Sequence, residues 1–288
     1  MNEIRRKIDD NKKREDESLR QILSESRIGS GKVANAMRYA VLGGGKRIRS
    51  FLIREYTSVI GGSLEAANAL ADAIEIGHAA SLIHDDLPCM DDSGFRHGML
   101  SCHRKYGEDI AVLAGDALLT FSYELVSNNK YLSPEVRVYA IETMAKNAGI
   151  KGMCQGQEID LSNDCNGYED LCNLYDLKTG TTIKTAMIFG CMTINKIPNK
   201  EMLEQISSYS QKIGRIFQFT DDILDGMPCS ETGKESGVDL KNGTKTVLTY
   251  RSIKEVYEEI DRLIEEASII YPNTLLAEFP IYLKNRKK

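Results

Sequence analysis

The sequence predicts an all-α fold, a bundle of several helices. Apolar residues recur three and four positions apart over most of the chain, alternating strand patterns are scarce, and only six prolines interrupt the 288 residues. Hydrophobic residues make up 42% of the chain, enough for a substantial core. This length allows one large domain or two small ones. Because no Pro/Gly/Ser-rich linker or internal repeat divides the chain, we expect a single domain over residues 1–288.

Five segments carry the helical pattern, with Gly, Asn and Pro between them. The second of them is rich in Ala, Leu and Ile and is predicted to be largely buried. Helical bundles place their ligand sites between facing helices, so a polar stripe on an apolar helix indicates a lined cavity. In chain order the segments are residues 33–42, 64–83, 135–149, 202–219 and 253–268.

Composition and charge argue against several classes of protein. The formal net charge of -5 gives no support to nucleic-acid binding, which usually shows a basic surface. Seven cysteines without CxxC spacing indicate reduced thiols, as in a cytoplasmic protein. The charged N-terminus lacks the apolar core of a signal peptide, and no run approaches the roughly 20 apolar residues of a membrane span. We expect a cytoplasmic protein without a membrane span.

The stretch SLIHDDLPCMDDSGF, residues 81–95, ends the most apolar segment with two pairs of aspartates. Aspartates at a helix end are often caps or turn residues that face water. His78, Ser81 and Asp85, however, fall at i, i+3 and i+7 and share one stripe of the helix. Carboxylates lining a cavity repel one another unless cations meet them. The candidate metal ligands here are Asp85, Asp86 and Asp91.

A second acidic cluster lies in GRIFQFTDDILDG, residues 214–226. Asp221 and Asp225 are one helical turn apart, and Gln218 continues their face towards the N-terminus. Two such clusters joined by a polyanion indicate divalent cations, and Mg²⁺ usually takes one or two carboxylates while phosphates and waters complete its shell. We therefore expect Mg²⁺ and a diphosphate. The candidate ligands are Asp221, Asp222 and Asp225, and the predicted core residues around them are Phe217, Phe219, Ile223 and Leu224.

Basic residues alternate with the acidic clusters along the chain. In GGGKRIRS, Lys46, Arg47 and Arg49 follow three glycines, where backbone N–H groups and guanidinium forks can meet an anion. A single lysine is usually solvated surface, so the prediction depends on the whole set. The others are Arg96, Lys178, Lys234, Lys241 and Lys245.

With these residues the sequence resembles the trans-isoprenyl diphosphate synthases, the family of farnesyl and geranylgeranyl diphosphate synthases. The resemblance runs from MRYAVLGGGKRIR to GKESGVDLKNGTK. SLIHDDLPCMDD resembles the first aspartate-rich motif in its DDxxxxD form, FQFTDDILD resembles the second, and YGEDIAVLAGDALLTFSYE and GMCQGQEIDL resemble the segments between them. The resemblance implies an all-α bundle of the isoprenoid synthase type with a deep central cavity, usually a homodimer.

The resemblance also implies a reaction, in which isopentenyl diphosphate is joined to an allylic diphosphate. Three Mg²⁺ ions, held at positions matching Asp85, Asp91 and Asp221, assist ionisation of the allylic substrate. The matching residues beside the metals are Asp86, Asp222 and Asp225. Those beside the allylic cation are Lys178, Thr179 and Gln218. Those around the allylic group and its phosphates are Gln157, Asp160, Lys234 and Lys245. Those for isopentenyl diphosphate are Lys46, Arg49 and His78, and Arg96 is a further substrate-binding position.

The chain departs from the family pattern at several positions. His97 stands where the family has a second arginine that contacts isopentenyl diphosphate, and Ser50 stands where it usually has a proline. An imidazole offers a phosphate one donor and titrates near neutrality. We therefore expect weaker, pH-sensitive binding of isopentenyl diphosphate, with His97 as part of its site. The stretch after Lys245 also departs from the pattern.

Product length is predicted from the side chains below the metals. A bulky side chain there would stop the growing tail, but Ser81 and Ala80, four and five residues before Asp85, are both small and leave room for a longer product. The insertion within DDxxxxD, in contrast, is associated with short products. We expect farnesyl diphosphate (C15), with geranylgeranyl diphosphate (C20) as the alternative. A terpene cyclase shares the helical fold but needs no second diphosphate site, which the Lys46 and Arg49 pocket supplies. A non-catalytic subunit of a heteromeric synthase is expected to lose acidic clusters, and both remain here.

Overall fold

The computed structural model describes residues 2–226 and 245–286. Helices dominate this part of the chain, which confirms the all-α prediction, and its only strands form one short hairpin. The α-helices are α1 (Asn2–Ile22), α2 (Glu25–Ile28), α3 (Lys32–Leu42), α4 (Ile48–Ile60), α5 (Leu64–Asp85), α6 (Cys102–Tyr106), α7 (Glu108–Ser127), α8 (Pro134–Ala148), α9 (Met153–Ser162), α10 (Tyr168–Tyr175), α11 (Thr181–Met192), α12 (Lys200–Gly226), α13 (Val247–Tyr250), α14 (Ile253–Ser268) and α15 (Leu275–Lys284). The strands are β1 (Phe95–Arg96) and β2 (Met99–Leu100), and a π-helix spans Asp176–Gly180.

The described residues fall into two compact units. The N-terminal unit contains Arg5–Ile141 and Phe189–Ile197. The C-terminal unit contains the described residues of Met1–Ile4, Glu142–Ile188 and Pro198–Lys288. The first acidic cluster therefore belongs to the N-terminal unit and the second to the C-terminal unit. The prediction of a single domain stays a prediction.

Helix α5 is the centre of the N-terminal unit. It begins at Leu64, where the Ser63 hydroxyl caps it by accepting a hydrogen bond from the backbone N–H of Ala66, and twelve of its residues are buried. It packs against α4 and α7. Each fully buried Leu or Ile side chain contributes about 1.5–3 kcal/mol to folding, so these contacts fix the helix firmly. The predicted burial of residues 64–83 is confirmed, and the helix delivers Asp85 at its C-terminal end.

Helix α7 also belongs to this core. Among the described helices it is the one long and apolar enough to cross a membrane by length and composition, with a mean hydropathy of 1.4 in its most apolar window. Of that window 44% is buried inside the protein, and the helix packs against α3, α5 and α6. Core helices of soluble proteins pass the same test, so α7 is weak evidence for a membrane span.

In the C-terminal unit, α12 and α14 present regular apolar faces. In α12 the buried side chains follow the helical repeat, and α14 buries Val256, Ile260, Leu263 and Ala267. Ser252 and Glu255 form a capping box at the start of α14. Helix α12 packs against α14, α15 and the π-helix. The buried face of α12 is Ile206, Tyr209, Ile213, Ile216 and Phe219.

Candidate active site

The first acidic cluster is folded back onto the end of α5. The backbone N–H of Asp91 donates to the carbonyl of Asp85 at 2.9 Å, and the N–H of Asp92 donates to the carbonyl of Leu87 at 3.1 Å. Pro88 lies in the turn between them. The two predicted ligands Asp85 and Asp91 are therefore joined by their backbones. A helix C-terminus carries partial negative charge, so carboxylates gathered there attract cations strongly.

One cation that meets this cluster is Arg96. Its single Nε–H is shared between the two carboxylate oxygens of Asp86, at 3.1 and 3.2 Å, and an Nη atom donates to the same carboxylate. Burial opposes ionisation of Arg96, but this bond and the charges of Asp86, Asp85 and Asp91 hold its pKa above the ordinary value. The side chain of Asp86 is only 3% exposed. Asp86 thus accepts from Arg96, while Asp85 and Asp91 lie nearer to solvent.

Arg96 and His97 are carried by the hairpin of β1 and β2. Arg96 pairs with Met99, which leaves a two-residue turn of His97 and Gly98. Both turn residues have left-handed backbones, with φ of 50° and 77°. Two such residues define the tight type of hairpin turn that suits the twist of the strands, and histidine tolerates this conformation better than most side chains. Arg96, His97 and Asp86 line a common cavity of about 30 Å³ with residues of α3 and α5.

The glycine-rich loop between α3 and α4 lies against His97. Gly44 and Gly45 have φ of 132° and 110°, a region that L side chains rarely adopt. A β-carbon added to Gly44 would stand 3.2 Å from Cβ of His97, which is a tight contact. Lys46 follows the glycines and is exposed. The structure therefore places His97 of the hairpin against the glycines that precede Lys46.

His78 and Arg49 complete a basic group in the same unit. Burial lowers the pKa of Arg49 to about 10, opposed by the charge of Glu75, so Arg49 remains charged at neutral pH. Burial, followed by the positive charges of Arg49, Arg96, His97 and Arg47, lowers the pKa of His78 well below its ordinary value. His78 is therefore neutral at pH 7 and offers one N–H donor. This N-terminal group contains Lys46, Arg49, His78, Arg96 and His97, all predicted from the sequence as substrate-binding residues.

In the C-terminal unit, Lys178 and Thr179 lie on the π-helix between α10 and α11. Lys178 forms an ion pair with Asp160 of α9, and the Thr179 hydroxyl donates to Oε1 of Gln218 at 3.0 Å. The α9 backbone approaches so closely that a β-carbon on Gly156 would stand 2.5 Å from the backbone nitrogen of Lys178. Single π-helical turns recur at functional sites. Four predicted residues, Lys178, Thr179, Gln218 and Asp160, thus meet here.

The π-helix is held by an ion pair that the sequence did not predict. Nε and one Nη of Arg215 donate to the two carboxylate oxygens of Asp176 at 2.9 and 2.7 Å. This bond raises the pKa of Arg215, although burial opposes it. Gln211 donates to the same carboxylate at 2.6 Å. Arg215 lies one turn before Gln218, and Asp176 lies two residues before Lys178, so both are close in sequence to predicted site residues. Their pairing could not be predicted, because an ion pair between two helices leaves no local pattern in the sequence.

The three aspartates of the second acidic cluster lie in different environments. Asp222 is buried and accepts from the Tyr175 hydroxyl at 2.6 Å and from the backbone N–H of Val247 at 2.7 Å. Asp221 forms an ion pair with Arg286 at 2.7 Å. Asp225 is partly exposed in the last turn of α12. The partners of Asp221 and Asp222 come from distant parts of the chain.

Arg286 also explains a departure from the predicted core. Its guanidinium carbon lies 3.8 Å from the ring centroid of Phe217, and an Nη atom donates to the Phe217 carbonyl at 2.7 Å. Phe219 and Ile223 are buried as predicted, whereas Phe217 and Leu224 are only partly buried. The prediction that all four are core residues is therefore wrong for Phe217 and Leu224, because their side of α12 is not fully covered.

The remaining predicted residues lie near α9 or outside the described part of the chain. Gln157, on α9, is buried. The Lys245 ammonium donates to the carbonyls of Asn163 and Cys165 at 2.9 and 2.7 Å, so in this structure it caps the end of α9. Lys234 lies outside the described residues.

The donor sets fit magnesium. Among the described residues, no three His, Cys, Asp or Glu side chains are gathered closely enough to hold a metal by themselves. Mg²⁺ seldom uses such a cage, because it binds through one or two carboxylates and completes its octahedral shell with waters and substrate phosphates. Asp85 with Asp91, and Asp221 with Asp225, each offer hard carboxylate oxygens at the end of a helix.

Comparison with known proteins agrees with this arrangement. The chain is 36% identical to the farnesyl diphosphate synthase of Haemophilus influenzae over 260 residues, which is 87% of this chain and 88% of the relative. It is 38% identical to geranylgeranyl pyrophosphate synthase 3, chloroplastic, of Arabidopsis thaliana over 245 residues, or 81% and 68% of the two chains.

A solved structure and a family pattern give the same result. The crystal structure of the Helicobacter pylori geranyltransferase complexed with magnesium and isoprenyl diphosphate matches with a TM-score of 0.81 at 28% identity, covering 96% of this chain and 95% of the other. The pattern of the family described as polyprenyl synthetase matches residues 31–269. The chain therefore belongs to the polyprenyl synthetase family and is a trans-prenyltransferase.

Proposed function

We propose that the protein condenses isopentenyl diphosphate with dimethylallyl or geranyl diphosphate and releases farnesyl diphosphate. One observation carries the proposal most directly. The N-terminal unit contains both a carboxylate pair at the end of α5 and, beside it, a basic group around the glycine-rich loop, with Arg96 in contact with both. Two diphosphates need two such sites, one that uses metal and one that uses cationic side chains.

The acidic residues hold magnesium in this proposal. Asp85, Asp91 and Asp221 are the ligands for three Mg²⁺ ions, and the metal when bound acts as a Lewis acid on the allylic diphosphate leaving group. Asp225 supports the second cluster. Asp86 and Asp222 already accept hydrogen bonds from Arg96, Tyr175 and Val247, so we assign them the role of fixing the helix ends beside the ligands.

The groups on and around the π-helix face the allylic cation in this proposal. The side-chain oxygens of Thr179 and Gln218 are fixed by their mutual hydrogen bond, so their dipoles need not reorganise during the reaction. Lys178 is oriented by Asp160, and with buried Gln157 these residues surround the allylic group. We keep Lys234 and Lys245 as candidates for the allylic phosphates.

The basic group binds isopentenyl diphosphate in this proposal. Lys46 and Arg49 supply permanent charge, neutral His78 supplies one donor, and Arg96 and His97 close the other side from the hairpin. The double bond then attacks the allylic carbon, a carbon–carbon bond forms, and a proton leaves the condensed cation. No carboxylate is required as the base, because the released diphosphate can accept that proton.

Exchanging His97 for arginine is expected to strengthen isopentenyl diphosphate binding. A guanidinium fork keeps its charge at every pH, whereas histidine loses its charge above an ordinary pKa of about 6.5. The wild-type KM for isopentenyl diphosphate should rise as the pH increases from about 6 to 8, since the unperturbed imidazole titrates within that range. In His97→Arg it should be about tenfold lower at pH 8, the effect of one charge-assisted hydrogen bond, and nearly constant with pH.

Steady-state kinetics at several pH values check this expectation. The KM for the allylic substrate serves as an internal control, since the substitution leaves that site intact. Neutral His78 does not titrate in this range and so does not contribute to the slope. An unchanged KM for isopentenyl diphosphate across the range would show that His97 does not contact it.

Product length is tested by a Mg²⁺-dependent assay of the purified protein with labelled isopentenyl diphosphate and separate dimethylallyl, geranyl and farnesyl primers. Ala80, at the level predicted to limit the chain, is small and 3% exposed. Accumulation at C15 supports a farnesyl diphosphate synthase, and accumulation at C20 supports the geranylgeranyl alternative. Cyclised product from a single substrate would support a terpene cyclase. Failure to condense any primer would support a non-catalytic subunit.

We also propose that the protein is a cytoplasmic homodimer. The cysteines in the described part of the chain are all free thiols, as expected in a reducing compartment. Sedimentation of the purified protein at several concentrations tests the dimer.

A further inference from the structure

Arg47, which follows Lys46 at the end of the glycine-rich loop, is buried in the protein interior. Its side chain is 5% exposed. Nε donates to Asp16 at 2.8 Å, one Nη donates to the carbonyl of Val41 at 2.6 Å, and the other lies 3.6 Å from a carboxylate oxygen of Glu75. Its donors face these three oxygens, so Arg47 anchors the loop on its buried side, whereas Lys46 is exposed.

The backbone of the loop is also held in an uncommon conformation. Arg47 has φ of 52°, in the left-handed region where non-glycine residues persist only if their surroundings fix them. Its carbonyl accepts from the Asn11 amide at 3.0 Å and from the Ser50 hydroxyl at 2.9 Å. The backbone N–H of Ser50 donates to Glu75 at 3.0 Å, a bond that a proline at this position could not make. The serine that stands in place of the family's usual proline at position 50 therefore adds a hydrogen bond to Glu75.

Two of these anchors, Asn11 and Asp16, come from α1. This helix lies before residue 31, where the match to the family pattern begins. Burial disfavours the charged form of Asp16, but hydrogen bonds from Lys12 and Arg47 hold its pKa below the ordinary value. Asp16 is therefore ionised at neutral pH and pairs with Arg47 as a charge.

We propose that Asp16 is a positioning residue for isopentenyl diphosphate: through Arg47 it fixes the glycine-rich loop in the shape that presents Lys46 and Arg49 to the diphosphate. This inference rests on the proposed function. It gives the charged N-terminal helix a part in substrate binding, although that helix has no predicted substrate ligand of its own. A merely structural role would lower stability without changing the two substrates' Michaelis constants differently.

The test compares Asp16→Asn with Asp9→Asn, which makes the same change of charge at an exposed position of the same helix. Asp16→Asn is expected to raise the KM for isopentenyl diphosphate about tenfold, as expected for losing one charge-assisted bond, while kcat and the allylic KM change less than about twofold. Asp9→Asn is expected to match the wild type. In an Arg47→Met background, Asp16→Asn should have no further effect, since the two act through one contact.

A second measurement separates this inference from the proposed function. Hydrogen exchange of the backbone amides at Gly43, Gly44 and Gly45 is expected to speed up in Asp16→Asn but not in Asp9→Asn, with or without substrate. Equal KM values and equal loop exchange in Asp16→Asn and wild type would overturn the inference. If calorimetry detects no binding of isopentenyl diphosphate to the wild type, the proposed function is overturned, and with it the role of Asp16 in substrate binding. Faster loop exchange in Asp16→Asn would in that case still identify Asp16 as an anchor of the loop.

Discussion

In Asp85→Asn we expect kcat to fall about a thousandfold, because in the proposed function Asp85 is a charged ligand of the metal that would assist the leaving group. Lewis-acid assistance is worth several kcal/mol of transition-state stabilisation, and each 1.36 kcal/mol corresponds to a factor of ten in rate. Asparagine has nearly the same size and keeps one oxygen. Removing this charge relieves its repulsion by the C-terminus of α5, worth about 0.3–1 kcal/mol, but also loses its attraction to Arg96, so stability should change little. Loss of activity without loss of stability is therefore the expected signature.

Asp92→Asn is the matched control for this substitution. Asp92 lies in the same loop, is exposed and pairs with Arg104 at 3.1 Å, and its left-handed backbone with φ of 44° suits asparagine. Its kcat and its dependence on Mg²⁺ concentration should remain close to wild type. Asp221→Asn should resemble Asp85→Asn, with a higher Mg²⁺ requirement. An Asp85→Asn enzyme with wild-type kcat and Mg²⁺ dependence would remove Asp85 from the metal site.

Structural features were predicted most successfully from the sequence where they depend on a local pattern of residues. Helix α5 was predicted because an apolar run of that length has few other ways to be buried, and its stripe placed His78 and Asp85 on one face. The hairpin and the π-helix were missed. The hairpin contains two residues in each strand, too short for an alternating pattern, and the π-helix differs from its neighbours by one extra residue in a turn.

Partners that lie far apart in the chain were also beyond prediction. Arg286 meets Asp221, and Arg47 meets Asp16, through the packing of separate helices. Helix α1 illustrates the difficulty. Its sequence is rich in charged residues, yet Glu15 is fully buried. A charge can be buried only where a partner meets it, and a single sequence does not show which residue that partner is. The predicted ligand and substrate residues accordingly remain predictions.

Arg54→Met is expected to lower the free energy of unfolding by about 3–5 kcal/mol above pH 8, the usual cost of removing one partner from a buried ion pair. An Nη atom of Arg54 lies 2.6 Å from a carboxylate oxygen of Glu15, and the two side chains are 7% and 0% exposed. Arg54 also donates to Asn11 at 2.6 Å and to Asn68 at 2.9 Å. Methionine fills much of the volume but leaves the carboxylate of Glu15 buried without its cation.

The pH dependence of stability reports the same carboxyl group. Burial, with the charges of Asp72 and Glu75, raises the pKa of Glu15 from 4.5 to about 8, although Arg54 opposes the rise. The unfolded chain loses this proton near pH 4.5, whereas the folded protein retains it until about pH 8. Between these values the folded state binds more protons, so stability falls as the pH rises. The contribution of Glu15 is full below about pH 4.5 and is lost through about pH 8.

Two further variants isolate that contribution. Burial also raises the pKa of Asp72, to about 6, and the lowered pKa of His78 makes stability rise with pH around its unfolded value of 6.5, so only the difference between a Glu15 variant and wild type isolates Glu15. Glu15→Gln, which keeps the shape, should remove the fall in stability that Glu15 causes from about pH 6 to 8 in wild type. Arg54→Met should cost less at pH 6, where Glu15 keeps its proton, than above pH 8.

The double variant Glu15→Leu, Arg54→Met decides whether the pair acts as a unit. Replacing both members of a buried ion pair by apolar side chains is often neutral, because neither charge is then desolvated. Chemical denaturation should therefore find the double variant more stable than Arg54→Met alone, with a strong positive coupling between the two sites. If the two losses simply add, the carboxylate is not what makes the arginine costly to remove, and the stability of this network must come from the bonds of Arg54 to Asn11 and Asn68.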